Sequence, residues 1–312
     1  MKVYKDMIEE VLVSGTRKEN RTGIDTLSTF NWNYELSWDW RYLVTSAEQM
    51  PIYPGNVPTV PLLTTKEISW KNIVVELLWF LSGSTSVEFL KRHGCKFWDP
   101  WVDEDGNVPS AYGSFWRSFP GEGDCDAGVT DQLSWIIKTL RNDPMSRRCV
   151  MSAWDPSSAQ YSKLPPCHFA VVFNVQLNRQ GEKRLCLHLT QRSCDLALGV
   201  PYNMASYGLL LLIMSRLVGI EPGIFAHTLC DLHVYTQKPN GDKAEWDHVP
   251  GLKEQLTRLT RDVPRVVIDP SIRELNDIEA LMKPEVTTEQ ILQAFKLEGY
   301  DPHPAIVFKV AV

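Results

Sequence analysis

Cys167 raises the first chemical question, because a thiol directly follows two prolines in the segment "LPPCH", residues 164–168. Proline fixes φ and has no N–H, so Pro165 and Pro166 cannot continue a helix and suit an extended lead into a strand. The following "HFAVVFNVQL" is rich in β-branched and aromatic residues, which predicts that strand. His168 would then point to the opposite face and is not expected to act as the base for Cys167. A core thiol and a nucleophile both remain open, and a nucleophile would need positive charge nearby.

A second candidate region is "QRSCDLALGVPYNMASY", residues 191–207. Arg192 followed by Ser193 offers a cation and a hydroxyl, which is a common pair for binding phosphate. Asn203 carries one donor and one acceptor and could read one edge of a pyrimidine base. The alternative is that Arg192 is a surface charge and Asn203 only the first residue of a helix.

Four further sites contain residues that could do chemistry. Glu76 lies within the apolar "VVELLWF", where a carboxylate is costly unless it is paired or functional. His233 and Tyr235 are two residues apart and would share one face of a strand, either as ligands of a sugar hydroxyl or as core residues. The adjacent pair Arg147–Arg148 and the loop residue Arg21 would ordinarily be solvated charges.

The elements that must position these residues can be predicted from periodicity and punctuation. Helices are predicted over residues 4–14, 69–82, 130–143 and 202–219, and strands over 26–38, 147–154, 167–177, 183–193 and 223–237. Gly199 and Pro201 predict a turn before the last helix. Central strands with flanking helices predict an α+β fold with a large mixed β-sheet. No linker or repeat interrupts the chain, so residues 1–312 are predicted to form one domain, with a Pro-rich surface insertion near 43–60.

Composition restricts the class of protein. The formal net charge of -6 argues against a surface that coats DNA, although local arginines could still bind a small anion. The seven scattered cysteines fit neither a disulfide framework nor a metal site, which predicts a reducing, cytoplasmic location without a metal. The charged N-terminus is unlike a signal peptide, and the apolar run 204–219 is too short to span a membrane.

Taken together, the motifs resemble the folate-dependent thymidylate synthase family, which includes the pyrimidine-nucleotide hydroxymethylases. The resemblance runs from about Arg21 to Val312 and rests on segments that occur in the family's order. These are "RTG", "PLLTTK", "ELLWFLSGST", "FWDPW", "SRRCVMSAW", "LPPCH", "QRSCDLALGVPYNMASY", "HVYTQ" and "EGYDPHPAI".

The resemblance implies a homodimer stacked through a twisted sheet, and a reaction between dUMP and 5,10-methylenetetrahydrofolate. Cys167 would add to C6 of the uracil, and C5 would then attack the folate methylene, giving dTMP and dihydrofolate. Each implied role belongs to a matching position. The nucleotide and its phosphate would be bound by Arg21, Gln191, Arg192 and Ser193, and the partner's site would be reached by Arg147 and Arg148. Asn203 would read the base, His233 and Tyr235 would bind the 3′-hydroxyl, and Glu76 and Tyr112 would transfer protons. Asp195 would contact both substrate and folate, and the folate would also be bound by Trp98, Gly199 and Val312.

Several positions depart from the family pattern, mostly on the folate side. Glu67 stands where the family usually has a basic residue that orders the closing tail. Phe115 stands where Gln is common, and Cys230 stands where Gly is common. Within residues 107–116, Pro-Ser-Ala replaces the usual Gly-Pro-Val before Tyr112. A loosened tail could admit water to the C5-methylene, so 5-hydroxymethylation is the second interpretation. A third is a nucleotide-binding protein without catalysis, for example one that binds its own RNA. Asn203 predicts uracil rather than cytosine as the base.

Overall fold

Helices and strands intermix along the chain in the computed structural model, which describes residues 1–38, 48–50, 57–121 and 128–311. The helices are α1 (Lys2–Ser14), α2 (Trp70–Ser82), α3 (Glu88–Arg92), α4 (Tyr112–Arg117), α5 (Gln132–Asn142), α6 (Pro156–Ala159), α7 (Gly199–Val218), α8 (Val249–Thr257), α9 (Leu275–Ala280) and α10 (Thr288–Ala294). The strands are β1 (Thr16–Lys18), β2 (Asp25–Ser37), β3 (Glu48–Gln49), β4 (Phe119–Pro120), β5 (Val129–Thr130), β6 (Val150–Ser152), β7 (His168–Leu177), β8 (Lys183–Gln191), β9 (Cys194–Asp195), β10 (Pro222–Thr236), β11 (Arg265–Ile268) and β12 (Phe295–Glu298).

The main sheet is organised around its longest strand, β10. This strand pairs antiparallel with β2 and parallel with β8, and the order across the sheet is β1-β2-β10-β8-β7-β6. The two-residue β9 adds to β10 in parallel, with Asp195 opposite His233. Parallel and antiparallel pairs in one sheet, with helices packed against it, confirm the predicted α+β fold with a mixed sheet.

Helix α7 is the central helix of the core. It is apolar all round, as expected of a helix surrounded by protein, and it packs against α2, α5, β8 and β10. The helix begins at Gly199, so the predicted turn over Gly199 and Pro201 is wrong. Proline is tolerated in a first helical turn, where its missing N–H would have no intrahelical partner, and Pro201 therefore lies inside the helix.

Helix α2 follows its sequence signals closely. The Ser69 side chain accepts a hydrogen bond from the Asn72 N–H at the start, and Gly83 adopts a left-handed conformation at the end, φ 76°. Its apolar residues are buried and Glu76 lies among them. This confirms the predicted helix that carries the isolated carboxylate.

The two faces of the main sheet differ in burial. Alternate residues of β8 and β10 are buried against the helices, whereas those between them are half-exposed. The half-exposed set comprises Cys186, His188, Thr190, Pro222, Ile224, Ala226, Thr228 and Cys230.

The strand predicted over 147–154 is shorter than expected. It forms only over Val150–Ser152, at the edge of the sheet, so Arg147 and Arg148 precede the strand. Of the insertion predicted near 43–60, residues 43–47 and 51–56 lie outside the described residues. Glu48 and Gln49 form β3 on the β2 strand. No helix in the described ranges is long and apolar enough to cross a membrane.

Candidate active site

Cys167 lies directly before β7 and is held by groups from three parts of the chain. Its backbone N–H donates to the Tyr112 hydroxyl at 3.0 Å. The Arg192 guanidinium donates from Nε to the Pro166 carbonyl at 3.0 Å and from Nη2 to the Pro165 carbonyl at 2.7 Å. The same Nη2 lies 3.8 Å from Cys167 Sγ. Arg192 is therefore not a solvated surface charge, and the two prolines present the carbonyls that bind it beside the thiol.

Cys167 has the nearby positive charge that a nucleophile needs, but burial has the larger effect on its pKa. Burial raises the pKa of Cys167, and this outweighs the lowering by Arg192, the Tyr112 hydrogen bond and Arg21. The chain alone therefore holds Cys167 chiefly as a thiol.

His168 is neutral and belongs to the wall of the site. Burial lowers the pKa of His168 to about 3, so it is not a base near neutral pH. Its ring stacks on Tyr112 with centroids 3.6 Å apart, and its Nδ1 is 2.6 Å from the Tyr207 hydroxyl. His168 and Tyr207 thus hold the ring of Tyr112, whose pKa burial raises well above its usual value. Tyr112 is a phenol that can relay a proton but does not carry a negative charge.

Glu76 meets the predicted folate residue Trp98. The Trp98 indole N–H donates to Glu76 Oε1 at 2.7 Å, and Trp98 packs against Trp79, Phe80 and Tyr112. Desolvation raises the pKa of Glu76 to about 7, although the Trp98 hydrogen bond lowers it. A carboxyl group that titrates near neutrality is suited to moving protons.

Asn203 lies in the first turns of α7 and contacts Gln191. Gln191 Nε2 donates to Asn203 Oδ1 at 3.0 Å and to the Ser193 carbonyl at 3.0 Å. Asn203 therefore does more than begin a helix. A Cβ added at Gly199 would lie 3.6 Å from Asn203 Oδ1 and 3.8 Å from the Asp195 Cβ. The structure thus brings Gly199, Asn203 and Asp195 together.

His233 and Tyr235 lie next to the same region on β10. Their rings contact edge to face at 5.3 Å. Asp231, which the sequence reasoning missed, lies 3.7 Å from His233 Nδ1 through Oδ1, and its backbone carbonyl lies 3.1 Å from that nitrogen. Burial alone raises the pKa of Asp231, but hydrogen bonds from His233, Ser28 and Lys18 leave it well below its usual value. An acidic residue two positions before a histidine on a strand was the signal available in the sequence.

The remaining predicted arginines are exposed. Arg21 lies in the loop before β2 and lowers the pKa of Tyr235, although burial, the largest effect, raises it to about 12. Arg147 and Arg148 form neither ion pairs nor side-chain hydrogen bonds with the described part of the chain, the residues around Cys167 included. Val312 lies outside the described residues.

The C-terminal segment, here residues 308–311, packs against α8 and the residues just before that helix. His248 Nε2 donates to the Lys309 carbonyl at 2.9 Å, and the Trp246 indole N–H donates to the Val310 carbonyl at 3.3 Å. The Lys309 ammonium lies 3.5 Å from the centroid of the Trp246 ring. These contacts do not involve Glu67.

Asp195 connects this segment to the rest of the site. Its Oδ1 accepts hydrogen bonds from the backbone N–H groups of Ala197 and Leu198, and it lies 3.9 Å from the buried His248 Nδ1. The amine of Lys66 donates to the Ala197 carbonyl. Burial lowers the pKa of Lys66 to about 8, against the opposing effect of Asp195.

A sequence profile described as thymidylate synthase matches residues 2–312, nearly the whole chain. The chain belongs to the thymidylate synthase family. As a thymidylate synthase family member, it is an enzyme of one-carbon transfer to C5 of dUMP, and the family's co-substrate is methylenetetrahydrofolate. Within the described ranges, no three His, Cys, Asp or Glu side chains gather where they could hold a metal ion.

The residues of this thymidylate synthase family site fit a bound pteridine. Asp195 uses Oδ1 for backbone amides, whereas its Oδ2 makes no hydrogen bond to a described residue and can accept from ring N–H groups. His248 Nδ1 is buried without a hydrogen-bond partner among the described residues, which indicates a polar group that a ligand or water can satisfy.

Proposed function

We propose that this enzyme methylates dUMP at C5, giving dTMP and dihydrofolate. The observation that carries the proposal is the arrangement around Cys167, where Arg192 holds both proline carbonyls and lies 3.8 Å from Sγ. A bound nucleotide brings the electrophile to this sulfur, and the adjacent guanidinium stabilises the thiolate that forms.

The protein's part in the reaction begins with the sulfur. The Cys167 thiolate adds to C6 of uracil, which makes C5 nucleophilic. C5 takes up the one-carbon unit and loses its proton through Tyr112 and water ordered by Glu76. The C5-methylene is then reduced, and elimination of the thiolate from C6 releases dTMP. 5,10-Methylenetetrahydrofolate supplies the carbon and the hydride and leaves as dihydrofolate.

The nucleotide is assigned to the groups that converge on Cys167. Arg21, Arg192 and Ser193 bind the phosphate, and Gln191 supports them by donating to the Ser193 carbonyl. Asn203 reads N3 and O4 of uracil, and His233 with Tyr235 binds the 3′-hydroxyl. The close contacts Gln191–Asn203 and His233–Tyr235 support this assignment.

The folate is assigned to the side of the site formed by Trp98, Asp195 and Gly199, with Val312 closing over it. Support comes from the Trp98–Glu76 hydrogen bond and from the available Oδ2 of Asp195. Methylation is favoured over hydroxymethylation because Trp246, His248 and Lys309 hold the C-terminal segment near Asp195. A held segment excludes the water that would otherwise attack the C5-methylene.

We further propose that two chains stack through the half-exposed face of the main sheet. Val172, Ile224 and Ala226 contribute apolar surface to this face. Glu35 pairs in register with Ala226, and its buried Oε2 has no hydrogen-bond partner among the described residues. A second copy would cover this face, and Arg147 and Arg148 at its edge would reach the partner's phosphate.

The test is incubation of the enzyme with dUMP and methylenetetrahydrofolate, followed by mass analysis of both products. A nucleotide heavier by a methyl group together with dihydrofolate supports methylation. A hydroxymethyl nucleotide together with tetrahydrofolate would contradict methylation and support 5-hydroxymethylation. Absence of turnover, with nucleotide binding retained, would favour a binding protein. The Cys167→Ser variant should bind dUMP but form no product, because a hydroxyl is a far weaker nucleophile than a thiolate.

A further inference from the structure

A chain of buried hydrogen bonds continues from Asn203 into the core of the sheet. Gln191 Nε2 donates to Asn203 Oδ1 at 3.0 Å, Gln191 Oε1 lies 3.1 Å from His227 Nε2, and His227 Nδ1 lies 2.9 Å from the Tyr34 hydroxyl. Gln191 is 2%, His227 1% and Tyr34 6% exposed. Buried polar groups joined in this way strongly restrict one another's orientation.

The direction of every bond in this chain follows from one carbonyl. The Ser193 backbone oxygen, 3.0 Å from Gln191 Nε2, can only accept, so the NH2 group of Gln191 must face it. The same NH2 group faces Asn203, which must therefore present Oδ1. Gln191 is left with Oε1 toward His227, so His227 must donate from Nε2.

Tyr34 completes the chain by fixing the tautomer of His227. Burial, reinforced by His168 and His188, lowers the pKa of His227 well below its usual value, so the ring is neutral and has one donor and one acceptor. With Nε2 donating to Gln191, Nδ1 accepts from the Tyr34 hydroxyl. The ring is also held by Phe225, stacked at 5.7 Å, and by the edge of Tyr34 at 5.3 Å.

We propose that His227 and Tyr34 are positioning residues that select uracil over cytosine by fixing the orientation of the Asn203 amide. The inference rests on the proposed function. With Oδ1 turned toward Gln191, the Asn203 NH2 group is held to donate to O4 of uracil, and the second lone pair of Oδ1 is left to accept from N3–H. Uracil presents a carbonyl at C4, which accepts, whereas cytosine presents an amino group, and two donors would face each other. Without the relay, Asn203 can rotate and present its oxygen to cytosine.

The experiment measures the ratio of kcat/KM for dUMP to that for dCMP, together with the dissociation constant of each nucleotide. Tyr34→Phe removes only the hydroxyl that fixes the tautomer, and we expect it to lower the ratio about fivefold, as for loss of one hydrogen bond. His227→Leu removes the donor to Gln191, and we expect a decrease of about tenfold or more because Oε1 becomes unsatisfied. His227→Gln keeps an N–H donor and should recover part of the selectivity.

His93→Phe is the matched control. His93 is also buried, at 4% exposure, and its Nδ1 lies 2.9 Å from the Thr288 hydroxyl, with no hydrogen bond to the relay. It should lower stability without changing the nucleotide ratio. A structural role alone for His227 would make its variants behave in the same way.

The outcomes separate the inference from the function on which it rests. Variants that process dUMP with the parental ratio overturn the relay while leaving the function intact. A parent protein that neither binds nor processes either nucleotide overturns both. If His227→Leu does not fold, Tyr34→Phe, which keeps the packed ring, decides the question alone.

Discussion

At the scale of the residue, the site depends on groups whose protonation is set by their surroundings. Burial keeps Cys167 as a thiol, makes His168 a neutral ring with a pKa of about 3 and raises the pKa of Glu76 to about 7. Of these three groups, only Glu76 changes charge near physiological pH. It is therefore the residue in which a change of pH should be seen most directly.

Replacement of Glu76 by Gln tests this assignment. Because the folded-state pKa is raised, the stability that this group contributes is fully present below pH 4.5 and is lost as pH rises through 7. Above that pH, Glu76→Gln should therefore be more stable than the parent by about 3 kcal/mol, while kcat falls about 100-fold because proton transfer is lost. Chemical denaturation between pH 4 and 8 measures the first effect. Glu88→Gln, at a side chain 81% exposed, is the control and should show neither change.

Asn203→Asp tests the reading of the base at the position nearest the ligand. A carboxylate only accepts, so it suits the amino group of cytosine and repels the carbonyl of uracil. We expect the kcat/KM ratio of dUMP to dCMP to fall about 10- to 100-fold, the cost of one unpaired polar group. An unchanged ratio would show that Asn203 does not read the base.

At the scale of the element, the loop before α8 and the C-terminal segment act together. Trp246 contributes a ring beneath the Lys309 ammonium and an N–H to the Val310 carbonyl, and His248 donates to the preceding carbonyl, that of Lys309. Phe308 lies 5.0 Å from His248 and 4.6 Å from the Lys66 ammonium. These contacts hold residues 308–310 against the protein, and Glu67 takes no part in them.

Trp246→Ala should loosen this segment without unfolding the protein. The lost cation–π contact and hydrogen bond together are worth about 1–2 kcal/mol, which makes an open segment roughly 10-fold more populated. We expect slower formation of dihydrofolate and a measurable share of hydroxymethyl nucleotide in the mass spectrum. Trp135→Ala, at a tryptophan 43% exposed on α5, is the control. Equal product distributions in the two variants would separate Trp246 from water exclusion.

At the scale of the whole molecule, the proposed dimer can be tested by mixing subunits. Cys167→Ser lacks the nucleophile, and the double variant Arg147→Ala/Arg148→Ala lacks the arginines proposed to reach across. In a mixed dimer, one site has both an intact thiol and intact partner arginines only if the arginines act in trans. We expect each variant alone to be nearly inactive and the mixture to regain about a quarter of parental activity after exchange, as random pairing of two subunit types leaves one complete site in half of the dimers. No recovery in verified mixed dimers would place the arginines in their own subunit's site or outside catalysis.

The sequence predicted the elements of the fold well where local signals agree. Ser69 and Gly83 bound α2 close to the predicted range, and β-branched and aromatic residues marked β7. Pro201 misled the prediction because a proline suits both a turn and the first turn of a helix. The strand predicted over 147–154 was too long, because the apolar residues Cys149, Ala153 and Trp154 flank the segment Val150–Ser152 that pairs with β7.

Site residues were predicted where a motif or an isolated charge marked them, as for Cys167, Arg192 and Glu76. The pKa of Cys167 was not, because burial of a thiol depends on side chains distant in sequence. Tyr34 and His227 lie 193 positions apart and meet only because β2 pairs with β10. Asp231 and His248 were missed for the same reason, since their contacts depend on strand register and on a packed segment near the C-terminus.

Arg192 binds two successive carbonyls through its planar guanidinium, so the shape of this side chain matters as well as its charge. Arg192→Lys would keep the positive charge, but an ammonium is a compact donor that lacks the planar fork. Such an enzyme could still attract an anion while the diproline backbone lost its brace, leaving the sulfur poorly aimed. Attraction of the nucleotide and alignment of the nucleophile are thus joined in one guanidinium, and a lysine there would divide them.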